Sequence, residues 1–120
     1  MVIERYDVLD PEGAKPIISG VTAFGNFVFL KGVTADPAGD ISVQTRQVLR
    51  QIDDLLAVAG SDKSKVLTAQ VWLSDKRMFR QHNLAWNEWV DAANPPVRAC
   101  VEARLFAPGL LVEIMLVAAR

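Results

Sequence analysis

The last quarter of the chain, residues 94–120, constrains the fold most strongly, because it sets charges into otherwise apolar β-runs. It reads NPPVRACVEARLFAPGLLVEIMLVAAR and predicts two short strands joined by a turn at Ala107-Pro108-Gly109. Arg98 follows a Pro-Pro pair, and Glu113 lies in the run LLVEIMLVAA among apolar neighbours. Burying an unpaired charge is costly, so each charge must either face water or have a partner. Arg98 and Glu113 are therefore the first candidates for chemistry.

The rest of the chain alternates β-runs with two amphipathic helices. We expect strands over residues 2–6, 17–23, 27–31 and 66–73. We expect helices over residues 42–59 and 76–92. Asp40 is the predicted N-cap of the first helix, Gly60 its stop, and Gly25 supplies a positive φ in a tight hairpin turn. No internal repeat or domain boundary appears, which predicts one α+β domain over residues 1–120 with the helices on one face of the sheet.

Each helix carries an apolar stripe that predicts core packing. In the first helix the stripe is Val48, Leu49, Ile52, Leu55, Leu56 and Ala59, with Gln44, Gln47, Gln51 and Asp54 on the other side. In the second helix it is Phe79, His82, Trp86, Trp89 and Val90. His82 is the single histidine, and its position among aromatic residues favours a buried structural role over catalysis.

Composition narrows the function classes. The chain has 120 residues and is 51% hydrophobic, which suits one globular domain. The net charge of −1 provides no electrostatic footprint for nucleic acid or for an anionic membrane. The longest apolar run is too short to span a membrane, and no signal-peptide pattern opens the chain. A lone cysteine, Cys100, excludes an intrachain disulfide, so we expect a cytoplasmic protein.

Several β-runs are apolar on both faces, which predicts a sheet covered on both sides. Helices would cover one side, and a second subunit would cover the other. Self-association is therefore expected from the residues alone.

Two interpretations of Arg98 and Glu113 stay open on residue patterns. The planar guanidinium of Arg98 suits a carboxylate ligand, but Arg98 could equally form a structural ion pair with Glu102, with Glu113 or with another subunit. Cys100 shares a strand face with Arg98 and is more often a small buried hydrophobe than a nucleophile. No cluster of ligands supports a metal site.

Four segments carry a family pattern: QTRQVLRQIDDLLAVAGSDKSKV, VWLSDKRMFRQHNLAWNEW, PPVRACVEARL and VEIMLVAA. Together they resemble the Rid family of enamine/imine deaminases (the RidA/YjgF group), over nearly the whole chain. The last two segments are the most specific, because they place an Arg and a Glu on the predicted terminal hairpin. The PVRxxV…VEI form is most similar to the YoaB-type branch.

The resemblance implies a chorismate-mutase-like α+β fold, with a mostly antiparallel sheet and two helices on one face. It implies a homotrimer with three clefts between subunits, and no metal or organic cofactor. By the same resemblance, Arg98 holds the carboxylate of a small imino or keto acid. Glu113 positions or protonates the attacking water and the leaving amine, and the backbone around Cys100 helps to hold the ligand.

Three positions depart from the archetypal members of that family. Ile17 stands where they have a tyrosine, and Lys31 stands where they have a serine. Both residues are expected at the substrate pocket, where Lys31 would add a positive charge or lie at the rim. Met115 replaces a second acid after Glu113. These changes leave Arg98 and Glu113 in place but alter the residues expected around the substrate, so the identity of the substrate can differ from that of the archetypal members.

The resemblance implies a cofactor-independent deaminase of the 2-iminobutanoate/2-iminopropanoate type. Such an enzyme hydrolyses 2-aminoacrylate or 2-imino acids to 2-keto acids and ammonia. The alternative is a non-catalytic regulatory module that binds a small carboxylate in the same cleft. A ribonuclease role is disfavoured because the sequence has an acidic pI and no basic stripe.

Overall fold

The computed structural model describes residues 2–10 and 12–120, which form two α-helices on one face of a seven-stranded sheet. The elements in chain order are β1 (Ile3–Tyr6), β2 (Val21–Phe24), β3 (Phe27–Leu30), β4 (Val33–Thr34), α1 (Ile41–Val58), β5 (Val66–Leu73), α2 (Phe79–Trp89), β6 (Val97–Glu102) and β7 (Val112–Ala119). Short 3₁₀ turns precede β5 and α2. The predicted α+β class is confirmed.

The strands follow the order β1-β2-β3-β7-β5-β6, with β4 also pairing with β7. All pairings are antiparallel except the parallel pair of β5 and β6. The predicted terminal hairpin is wrong, because β5 lies between β6 and β7. The physical reason is the α2 crossover, which returns the chain beside β5 in the same direction and leaves the apolar β7 to fill the centre of the sheet.

The ends of α1 agree with the predicted signals. The Asp40 carboxylate accepts a hydrogen bond from the Val43 amide at 3.0 Å. Gly60 has a φ of +76°, and the amides of Gly60 and Ser61 donate to the carbonyls of Ala57 and Leu56. These two hydrogen bonds form the Schellman motif, which gives partners to carbonyl groups in the last turn of the helix.

The core lies between α1 and the sheet. The predicted α1 stripe is buried, with Val48, Ile52 and Leu56 each 0% exposed. Gln44 departs from the prediction, because it is buried instead of lying on the polar side. Its amide donates to the Gly109 carbonyl at 2.9 Å and accepts from the Leu111 amide at 3.0 Å. A fully paired amide can be buried at little cost, so Gln44 fastens α1 to the segment before β7.

The α2 helix is shorter than predicted and begins only at Phe79. The Asp75 carboxylate caps the preceding 3₁₀ turn by accepting from the Arg77 amide at 2.8 Å. Phe79 is 49% exposed, so it lies outside the core, whereas His82 and Trp86 are buried as the stripe predicts.

The side of the sheet away from the helices is called the open face here. Phe27, Phe29, Met115, Val97 and Val101 are exposed on it. Strand β6 is an edge strand, and no strand of the described residues pairs with its outer side. The open face is thus the surface on which the predicted second subunit would pack. Within the described part of the chain, no helix has both the length and the apolar character needed to cross a bilayer.

Candidate functional site

Arg98 lies on the helix side of β6, where three side chains of α2 hold its guanidinium. Nη2 donates to Asn83 Oδ1 at 2.7 Å, and Nη1 lies 3.3 Å from His82 Nε2. The guanidinium carbon is 4.9 Å from the centre of the Trp86 ring, within cation–π distance. These four residues, with Thr45 behind His82, are called the arginine cluster.

His82 is fully buried between the two helices. Its Nδ1 lies 3.0 Å from the Thr45 hydroxyl, and Thr45 is also fully buried. Burial lowers the pKa of His82 to about 4, and the charge of Arg98 acts in the same direction. His82 is therefore a neutral imidazole at neutral pH. The prediction that His82 is buried is confirmed. Its neighbours include the charged Arg98 as well as aromatic rings.

Neither of the carboxylates proposed as structural partners within the chain pairs with Arg98. Glu102 accepts a hydrogen bond from the Lys76 amide at 2.8 Å. Glu113 lies on the open face, because it alternates along β7 with the fully buried Val112 and Ile114. None of the carboxylates in the described residues forms an ion pair with Arg98. Partial burial without a counter-charge lowers the pKa of Arg98, a cost that an anionic ligand would offset.

Cys100 follows Arg98 on the same face of β6 and is partly buried. Burial raises the pKa of the thiol, and the nearby Arg98 opposes that shift only in part. A thiol with a raised pKa is a poor nucleophile at neutral pH. Cys100 is thus a wall residue beside the arginine cluster.

Glu113 lies beside a break in the strand that runs from β3 into β4. Phe29 pairs with Val117, and Val33 pairs with Ile114. Between these two pairs the chain covers four residue steps from β3 to β4 but only three along β7. The extra residue forms a bulge at Lys31-Gly32. A Cβ at position 32 would overlap the Glu113 carboxylate as it lies in the structure, so a larger residue there would displace the end of that side chain. Together, Glu113, Lys31 and Gly32 are called the bulge site.

A cavity of about 410 Å³ opens next to the bulge site, lined by Ile18, Ser19, Thr22, Lys31, Gly32 and Met115 with parts of β3. Lys31 therefore borders a cavity, and its place at a substrate pocket stays a prediction. Ile17 is 74% exposed and is not part of that lining, whereas its neighbour Ile18 is. In a single chain, Ile17 contributes to neither the bulge site nor the arginine cluster.

The predicted site residues form two groups that one chain does not bring together. Arg98 and Cys100 lie on the helix face at the edge strand, whereas Glu113 and Lys31 lie on the open face two strands away. A third surface feature, a groove of about 500 Å³, crosses the open face between β3 and β6 and has Phe29, Met115 and Val97 in its lining. The two groups can form one site only if different copies of the chain contribute them.

Two further residues were missed as site candidates from the residues alone. Thr45 lies within the predicted first helix, one turn before Val48 of the apolar stripe, and this helical spacing is the signal for its burial. Gly32 directly follows the predicted strand over residues 27–31. The signal for it was the glycine between two β-runs, which is typical of a bulge or of a close approach.

The comparisons with known proteins agree with this architecture. The sequence matches the family model described as endoribonuclease L-PSP over residues 11–120. The chain belongs to that family, also named RutC and YjgF. The predicted resemblance to the RidA/YjgF group is confirmed.

Individual members of the YjgF family match closely. The RutC family protein YoaB of Escherichia coli (strain K12) is 42% identical over 101 residues, 84% of this chain and 89% of that protein. A RutC family protein of Haemophilus influenzae is 53% identical over 75 residues, 62% of this chain and 65% of that protein. A solved YjgF-family structure from Neisseria meningitidis has a TM-score of 0.91 at 37% identity, covering 100% of this chain and 96% of that one.

Proposed function

We propose that this YjgF-family protein is a cofactor-independent deaminase of reactive enamines and imines. Its substrates would be 2-aminoacrylate and small 2-imino acids, and its products 2-keto acids and ammonia. One observation carries the proposal: the partly buried Arg98 guanidinium has no carboxylate partner in the described chain. A planar cation held by neutral acceptors suits the carboxylate of such a substrate.

The reaction needs an anion anchor and one group that moves protons. An enamine first gains a proton at its terminal carbon to become the imine. Water then adds to the imine carbon, the C–N bond breaks, and ammonia leaves as the C=O bond forms. Glu113 would accept the proton of the attacking water and return it to the departing nitrogen. Arg98 would hold the substrate carboxylate so that the imine carbon faces Glu113.

The site would be shared between copies of the chain in a homotrimer. Arg98 and Glu113 lie on opposite faces of one sheet, so a single copy offers only half of the machinery. The edge strand β6 and the exposed apolar open face are surfaces that a second copy would cover. In the intersubunit cleft, Cys100 would form part of the wall, and Lys31 would place a second positive charge near the substrate carboxylate.

The regulatory alternative shares the arginine cluster but gives Glu113 no chemical role. A module that only binds a 2-keto acid would require Arg98 and would tolerate Glu113→Gln. The net charge of −1 disfavours RNA as a substrate, although the matching family model carries the name endoribonuclease L-PSP.

The decisive experiment couples the protein to a threonine dehydratase and follows 2-oxobutanoate release. Wild-type protein should accelerate release, and both Arg98→Ala and Glu113→Gln should abolish the acceleration. Titration of 2-oxobutanoate into each variant separates the two roles, since Arg98→Ala should lose binding and Glu113→Gln should keep it. A wild-type protein that binds 2-oxobutanoate without accelerating release would support the regulatory module instead.

A further inference from the structure

We propose that His82 is the positioning residue for Arg98, accepting a hydrogen bond at an unprotonated Nε2 while its Nδ1–H donates to the Thr45 hydroxyl. This relay from α1 through α2 to β6 would fix the guanidinium before a ligand arrives. It rests on the proposed function for its purpose, because Arg98 needs a set orientation only if it receives a carboxylate.

The tautomer follows from the chemistry of arginine. A guanidinium has five N–H donors and no acceptor, so a hydrogen bond between Arg98 Nη1 and His82 Nε2 at 3.3 Å requires an unprotonated Nε2. A neutral imidazole must then carry its proton on Nδ1. The Thr45 oxygen at 3.0 Å is placed to accept that proton. In the opposite tautomer, the Nε2–H of His82 and an N–H of Arg98 Nη1 would both be donors and would face each other across 3.3 Å.

Burial makes this arrangement rigid. Both His82 and Thr45 are 0% exposed, so no water competes for either imidazole nitrogen. Protonated His82 would present a second positive charge to Arg98, and the lowered pKa of His82 keeps that form rare at neutral pH. Asn83 accepts a hydrogen bond from Nη2 at 2.7 Å, so both terminal nitrogens of the Arg98 guanidinium have a hydrogen-bond partner.

The Arg98 guanidinium, although held by its neighbours, still has N–H groups that can bind a ligand. Two of the five N–H groups of Arg98 are engaged by His82 and Asn83, which leaves three. Trp86 supports the guanidinium plane, with the guanidinium carbon 4.9 Å from its ring centre. A carboxylate needs two parallel N–H groups for bidentate binding, so the remaining capacity is sufficient.

The first test reads the tautomer directly, because His82 is the single histidine of the chain. In protein labelled with ¹⁵N-histidine, every imidazole signal belongs to His82. The expected spectrum at pH 7 shows a protonated Nδ1 and an unprotonated Nε2. In Arg98→Met the Nε2 signal should shift downfield, since it loses its donor. A protonated Nε2 in wild type, or an Nε2 signal unchanged in Arg98→Met, would overturn the relay.

The second test asks whether the relay matters for binding, with pyruvate as the probe. Thr45→Val keeps the side-chain shape but removes the acceptor, and His82→Leu removes the imidazole. Both should raise the pyruvate Kd about tenfold. His82→Gln, which keeps an acceptor, should recover part of the loss. Ile52→Val is the control for a core change that does not touch Arg98, and its Kd should equal that of wild type.

The outcomes separate this inference from the proposed function. If Arg98→Ala abolishes pyruvate binding while Thr45→Val and His82→Leu bind like wild type, the positioning role is wrong and the proposed function stands. If wild type itself does not bind pyruvate or 2-oxobutanoate, the proposed function is contradicted. The shift of the Nε2 signal in Arg98→Met then decides the relay on its own.

Discussion

Arg98 and Glu113 lie on opposite faces of one sheet, with β5 between their strands. Arg98 packs against Trp86 on the helix side, and Glu113 contacts the bulge at Gly32 on the open side. A single chain therefore holds the proposed anion anchor and the proposed proton-transfer group on surfaces that one substrate cannot contact together.

Gly32→Ala should disable Glu113 without disturbing Arg98. The added methyl group would meet the Glu113 carboxylate, so the carboxylate must move away from its place on the open face. We expect kcat to fall by about 10²-fold or more, as for loss of a general base, with 2-oxobutanoate affinity unchanged. Steady-state kinetics of the dehydratase-coupled reaction and calorimetric titration measure the two effects.

Gly13→Ala is the matched control for that variant. Unlike Gly32, Gly13 has a positive φ, +59°, and a Cβ there meets nothing within 4 Å. It should lower stability slightly through backbone strain and leave kcat at the wild-type value. A normal kcat in Gly32→Ala would show that turnover does not require the Glu113 carboxylate in its present position against Gly32.

Cys100→Ala should keep the activity. Burial raises the pKa of this thiol, so little thiolate exists at neutral pH and covalent catalysis has no support. We expect kcat within about twofold of wild type, since only a small wall contact is lost. Complete loss of turnover in a folded Cys100→Ala protein would restore the nucleophile interpretation.

Stability should fall between pH 6.5 and pH 4 because of His82. The pKa of His82 is about 4 in the folded chain and about 6.5 in the unfolded chain, so the unfolded state binds the proton first as pH falls. The contribution of His82 to the free energy of unfolding should therefore drop by about 3 kcal/mol across this window and be constant above it. Urea denaturation at several pH values measures the decline.

His82→Gln isolates this contribution from those of the carboxylates. Glutamine does not titrate, so the difference between the two pH profiles belongs to His82. Parallel profiles for wild type and His82→Gln would show that the pKa of His82 is not lowered in the folded state.

The local signals in the sequence predicted the helices well. The cap at Asp40, the stop at Gly60 and the α1 stripe are all confirmed, because each depends on residues close in the chain. The prediction failed for Gln44, since its hydrogen-bond partners lie in the distant segment before β7. When the hydrogen-bond partners of a polar side chain are distant in sequence, the helical pattern of apolar residues does not indicate that the side chain is buried.

Strand faces and strand neighbours were harder to predict. Leu67 alternates with Ala69 in sequence but is 40% exposed, because an irregularity between Val66 and Thr68 shifts the register. The same kind of error produced the terminal hairpin, in which proximity in sequence was taken for pairing. Their chemistry makes Arg98 and Glu113 site candidates in the sequence, but their separation onto two faces depends on the α2 crossover, which the sequence pattern does not show.

The most direct test of the shared site mixes two inactive variants. Arg98→Ala and Glu113→Gln chains are unfolded together at equal amounts, refolded, and assayed with the dehydratase. In a cyclic homotrimer, a cleft is complete when one neighbour supplies Arg98 and the other supplies Glu113. Random mixing then restores about a quarter of the wild-type activity.

The double variant, with both changes in one chain, is the control and should stay inactive when it is refolded with either single variant. Recovery of about a quarter of the activity in the mixed single variants is the result that the two-face arrangement predicts. Two single variants that stay inactive after mixing, while refolded wild type is fully active, would contradict a site built from Arg98 of one copy and Glu113 of another.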